Sequence, residues 1–160
     1  MKSFQIEIKW ALIFTLIGLI WVVLEKSFGL HDVNIAKHAL YTNFIAIPAV
    51  AVYVYALLDK KKNYYKGNMS YQQGLVAGII ISIGVALLAP LSQYIGLNMI
   101  SPQYFNNIIN HVVAQGHMTQ AQALDYFNLK SYMIQSVCLA PVMGIITSLI
   151  VAFVVKSKKH

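Results

Sequence analysis

Apolar residues fall into four long runs, and the polar residues gather between them. The first run goes from Trp10 to Leu24, and Ile6, Ile8 and Phe28 extend it to a span over residues 8–27. The second covers 39–58 and stops at Asp59-Lys60-Lys61-Lys62; the third covers 74–97, and the fourth covers 132–155 and stops at Lys156. A helix needs about 20 mostly apolar residues to cross a hydrocarbon core about 30 Å thick. Each run meets that length, so the pattern predicts four membrane-spanning helices. Glu7, Lys9, Glu25 and Lys26, at the edges of the first span, are expected to reach outward to water. Ser70 and Gln73 have the spacing of a capping box, which satisfies the first free amides of the third span.

The connection between the third and fourth spans has a pattern of its own. Ser101-Pro102 reads as an N-cap with proline at the first helical position. Tyr104, Phe105, Ile108, Ile109, Val112 and Val113 then recur at helical spacing, with Asn106, Asn107, Asn110, His111 and Gln115 opposite. Gly116 ends that helix, and Thr119 with Gln122 opens another whose apolar side holds Leu124 and Phe127. The expected fold is all-α: an integral membrane four-helix bundle, residues 1–160 forming one transmembrane domain. A short amphipathic helical pair over 101–130 caps its outer side.

Composition agrees with lipid as the solvent. Of 160 residues, 58% are hydrophobic and 11% charged, against about 25% charged in average soluble domains. The net charge of +7 comes from lysine alone. Lys2, Lys9, Lys60, Lys61, Lys62, Lys66, Lys156, Lys158 and Lys159 all lie on one side of the predicted bundle. Lys26, Lys37 and Lys130 lie on the other, offset by Glu25, Asp32 and Asp125. The positive-inside rule then places both termini in the cytoplasm, and the same rule accounts for the basic charge without nucleic acid, for which arginine forks are missing. The first span resembles a signal peptide, but Leu24-Glu25-Lys26-Ser27-Phe28 lacks a small-x-small cleavage pattern, so it is read as a retained span. Cys138, the single cysteine, reads as a small core hydrophobe.

Two segments resemble a known family. One is Lys66-Gly67-Asn68-Met69-Ser70-Tyr71-Gln72-Gln73-Gly74, followed by Gly78; the other is Pro141-Val142-Met143-Gly144 leading through Ser148-Leu149-Ile150 into the terminal lysines. With two hairpins and the helical outer segment, the chain resembles the Bacteroidota membrane family called domain of unknown function 4199. The resemblance covers nearly the whole chain. It implies a four-span fold in a bacterial inner membrane and no particular chemistry. The outer segment here carries fewer acidic residues than that family's pattern.

Small residues form two stripes: Gly74, Gly78, Ser82 and Ala86 in the third span, and Ala140, Gly144, Ser148 and Ala152 in the fourth. Close backbone approach across such residues drives association in lipid. The stripes predict either packing of these spans within one chain, or a seam to a second copy or another membrane protein. Pro48, Pro90 and Pro141 interrupt three spans, and Gln93 and Gln135 sit near such breaks; these five are the candidates for a transport pathway. No Asp, Glu, Lys, Arg or His falls at mid-span, which argues against an ion-coupled carrier. His31, His38, His111 and His117 fall on the outer side, but without His-x3-His or HExxH spacing they predict no metal set. No nucleophile motif, phosphate loop or carboxylate pair is present, so no catalytic residue and no cofactor is predicted. The residues favour a non-catalytic inner-membrane protein acting through helix packing and partner or self association. An uncoupled transporter or channel comes second, and a periplasmic metal-binding sensor or enzyme third.

Overall fold

The computed structural model describes residues 4–157. Lys2, Lys158 and Lys159, counted above for orientation, lie outside the described residues. All regular structure among the described residues is helical. Four helical stretches are long and apolar enough to cross a membrane: Gln5–Ser27, Ile35–Asn63, Tyr71–Ile100 and Leu129–Val155. The elements are α1 (Gln5–Ser27), α2 (Ile35–Tyr41), α3 (Ala46–Asn63), α4 (Tyr71–Tyr94), α5 (Tyr104–Ala114), α6 (Gln120–Tyr126) and α7 (Leu129–Val155). We call the end that carries α5 and α6 the cap end, and the end that carries Lys60–Lys62 the lysine end.

Prolines fall in three of the long stretches, and one of them breaks the regular winding. Pro48 has no N–H to offer the carbonyl of Phe44, and just upstream Thr42–Ile45 winds as a tighter 3-10 turn between α2 and α3. Pro90 and Pro141 sit inside α4 and α7, which continue past them. Beyond Tyr94 the chain widens to a π-turn over Ile95–Ile100, where the Ser101 amide donates to the Gly96 carbonyl at 2.9 Å. Ser70 and Gln73 cap α4 reciprocally, as do Thr119 and Gln122 for α6. Asn128 caps α7 through the Ser131 amide, so that helix starts at Leu129.

Helices α4 and α7 form the most extensive pairing in the bundle. Gly74 faces Ala152, Gly78 faces Ser148 and Gly144 faces Ser82, so each turn up α4 meets a turn down α7. A methyl group built on Gly78 would overlap the Ser148 side chain, and one on Gly144 would overlap Ser82. Both serines are fully buried and satisfied, Ser82 by the Gly78 carbonyl at 2.8 Å and Ser148 by the Gly144 carbonyl at 2.6 Å. Ala86 and Ala140 are half-buried further along the two helices. At mid-bundle the Tyr53 hydroxyl meets Ser82 Oγ at 2.8 Å, and the Tyr53 ring meets Phe14 edge to face with centroids 5.9 Å apart.

The outward faces stay apolar and exposed, with Leu12, Leu16 and Ile20 on α1 and Ile146, Ile150 and Phe153 on α7. Cys138 lies on the exposed side of α7, not in the core expected for it, because the cap-end half of α7 turns most of its surface outward. In the cap, Tyr104, Ile108 and Ile109 are buried, Tyr104 and Ile108 forming a cluster with Ile35 and Leu97. Phe105, Val112 and Phe127 pack against that cluster. Leu124, expected on the inner side of α6, is 54% exposed, and Ala123 is buried in its place. Ala123, not Leu124, lies on the side of α6 that meets the rest of the protein.

The acidic residues of α1 depart most from expectation. Glu7 and Glu25 do not reach out to water; both are buried. At the lysine end, Lys60 is buried with Glu7 and places Nζ 2.7 Å from its carboxylate, while Lys9 pairs with Asp59. Lys60 also stacks over the Tyr64 ring at 3.8 Å. Each buried charge is held by a partner, which is the condition for keeping it out of water.

Candidate metal centre at the cap end

Glu25 occupies the last turns of α1, and the chain must reverse directly after it. Gly29 makes the reversal with φ +70, a left-handed conformation where a side chain would also strike Val33, Asp32 and Asn34. The Leu30 amide donates back to the Glu25 carbonyl, and the Asn34 amide to the Gly29 carbonyl. His31 is thereby swung over the Glu25 side chain, and α2, starting four residues later, delivers His38 from the other side.

The result is a compact trio. His31 Nε2 lies 3.4 Å and His38 Nε2 3.8 Å from Glu25 Oε2. One ligand atom from each of the three residues lies within 4.8 Å of the others. A tetrahedral zinc-like ion with bonds of about 2.1 Å spaces its ligands about 3.4 Å apart, so small side-chain shifts suffice to close on one. Glu25 and His31 are buried and His38 is half-buried.

The surrounding groups hold these side chains in place. Trp21 Nε1 donates to Glu25 Oε1 at 2.8 Å, leaving Oε2 to face the imidazoles. Ser101 Oγ lies 2.8 Å from His31 Nδ1, and Asn107 Nδ2 donates to the His31 carbonyl at 2.9 Å. With Nδ1–H donating to the Ser101 hydroxyl, Nε2 keeps its lone pair and can face an ion. The Ser101 hydroxyl does not cap α5 as expected; α5 starts at Tyr104 after Gln103, and the hydroxyl is spent on His31. The Tyr104 ring packs at a tilt against both imidazoles, with centroids 4.9 Å from His31 and 5.2 Å from His38. Burial, then the neighbouring Tyr132 and Glu25, raise the Tyr104 phenol well above its ordinary range and keep it neutral. Its hydroxyl lies 3.2 Å from that of Tyr132.

A cavity of about 260 Å³ opens beside the trio and is bounded by α1, α4, α7 and the cap. The sequence profile of a family described as a protein of unknown function (DUF4199) matches residues 9–157. The chain belongs to the DUF4199 family. No curated protein and no solved structure matches it.

In this DUF4199 chain Pro48, Pro90, Gln93, Gln135 and Pro141 are the residues considered for a pathway. Gln93 lines the cavity, but Pro48, Pro90, Gln135 and Pro141 do not. Gln135 instead donates to Ser131 Oγ within its own helix. His111 is half-buried on α5 and His117 is exposed, both apart from the trio. The small-residue stripes face each other within one chain. Spacing rules for a single helix could not have found the trio, since its members come from α1, a turn and α2. A signal was nonetheless present: Gly29 two residues past the end of α1 marks a reversal, and a reversal there returns His31 to Glu25.

Proposed function

We propose that this is a metal-binding protein of the bacterial inner membrane, holding one divalent transition-metal ion on Glu25, His31 and His38. The observation that carries the reading is the trio's spacing, two imidazole nitrogens 3.4 and 3.8 Å from one carboxylate oxygen. Two nitrogens and one oxygen suit zinc and its neighbours in the first transition row, not calcium or magnesium. Both termini lie in the cytoplasm, which the lysines at the other end of the bundle support. The site then faces the periplasm. Packing with a partner protein is less favoured, because the small-residue stripes that suggested it are occupied by each other.

The test is metal analysis of the purified protein in mild detergent, followed by zinc titration against a competing chelator. About one zinc per chain is expected, lost in His38→Gln and Glu25→Gln with the helical content unchanged. A chain that takes up no zinc, cobalt or nickel at neutral pH would overturn the reading.

A further inference from the structure

We propose that the ion's fourth position takes the anionic head of a single-chain amphiphile, a carboxylate whose short apolar tail lies in the cavity along α1. This deepens the metal-binding reading and rests on it. Three protein ligands leave a tetrahedral ion one open position, and Glu25, His31 and His38 all line the cavity. A divalent ion on one carboxylate and two neutral imidazoles keeps one net positive charge, which favours an anion as the fourth ligand. The lining is divided in character. Ser92, Gln93 and Thr42 supply polar atoms, and Gly18, Val22 and Ile45 supply an apolar wall.

Gly18 sets the depth. It lies seven residues before Glu25 on α1, about 10 Å deeper at 1.5 Å per residue. A methyl group built there meets nothing within 4 Å, so the space beside it is open. Gln93 carries an amide with no hydrogen-bond partner among the described residues, and it lines the same cavity. That amide has a donor for an anionic oxygen. A volume of about 260 Å³ equals about nine waters at about 30 Å³ each. It fits a head and a short chain, not a two-chain lipid.

Cobalt-loaded protein in neutral detergent gives the test, because cobalt absorption bands move when a ligand binds the ion directly. Octanoate is expected to shift the bands at concentrations at least tenfold lower than acetate, which has the head without the tail. Octanol, which has the tail without the charge, should leave them unmoved. Gly18→Leu should remove the octanoate advantage while cobalt binding and the acetate response persist, and Gln93→Leu should weaken both acids. Equal responses to octanoate and acetate, or a Gly18→Leu protein that keeps the advantage, would overturn the tail site alone. Bands unmoved by either acid would show a closed ion and overturn the proposal while leaving the metal site standing. Failure to bind cobalt at all would overturn the metal reading and this proposal together.

Discussion

Glu7 and Glu25 lie eighteen residues apart on α1, five turns of a helix, and therefore point from the same side of it into the bundle. Each carboxylate is buried and each meets a different class of cation-forming partner, Lys60 at one end and the His31–His38 pair at the other. Both charges are thus kept off the lipid by facing inward, at opposite ends of one helix.

The Glu7–Lys60 pair should be far more sensitive to losing one member than to losing both. Removing one partner of a buried pair costs about 3–5 kcal/mol, whereas an apolar replacement of both is often close to neutral. Lys60→Met is expected to lower the unfolding midpoint in detergent sharply, and the double variant with Glu7→Leu to recover most of it. Chemical unfolding followed by circular dichroism checks both.

At the α4–α7 seam, Gly78→Ala is expected to destabilise by about 1–3 kcal/mol through overpacking against Ser148. Combining it with Ser148→Gly clears the overlap and should restore the midpoint. The same unfolding assay reads the result, and an additive double variant would contradict the contact.

High pH should loosen the cap. Tyr104 has its folded pKa raised by burial, by Tyr132 and by Glu25, while the unfolded phenol titrates near its ordinary value of about 10. Below that value both states hold the proton, so stability is unaffected. Above it the unfolded state loses the proton first, and stability falls by up to about 1.4 kcal/mol per pH unit for this one group. Tyr65, raised by burial and by Tyr64 and Glu7, adds to the same slope at the other end. Tyr104→Phe is expected to flatten the alkaline loss measured between pH 9 and 12.

Ser101→Ala should weaken zinc binding by about 10–100-fold without abolishing it, since a partner that orients a metal-binding imidazole typically contributes that much. Chelator competition measures the ratio. An unchanged affinity would mean that Asn107 and the Gly29 turn alone orient His31.

Orientation can be read with cysteines in a Cys138→Ser background. Gln120→Cys on α6 is expected to react with a membrane-impermeant thiol reagent added to spheroplasts, and Lys62→Cys only after lysis. The reverse pattern would place the metal trio on the cytoplasmic side.

The spans and caps were legible because hydropathy and capping act locally. Lipid rewards each apolar run by itself, and Ser70 with Gln73, or Thr119 with Gln122, closes a box within four residues. The stripe from Gly74 to Ala86 could be read as a packing face with the fourth-span stripe as one of its possible partners, but the choice and the register with Gly144, Ser148 and Ala152 needed the structure. Glu7 and Glu25 were misplaced because a charged residue near a span end usually snorkels, and only the inward partners Lys60, His31 and His38 override that. The trio depends on a turn, a second helix and Ser101, seventy residues from His31. No sequence window holds all of them.

The ring-to-ring contact of Phe14 with Tyr53, and the hydroxyl contact of Tyr53 with Ser82, cross the middle of the molecule as a septum between its two charged ends. Glu25 and Glu7 are thus separated along α1 by packed side chains and not by an open polar row. On the metal-binding reading proposed above, an ion held by the trio would then exchange through its own end of the bundle, the end that α5 and α6 cover.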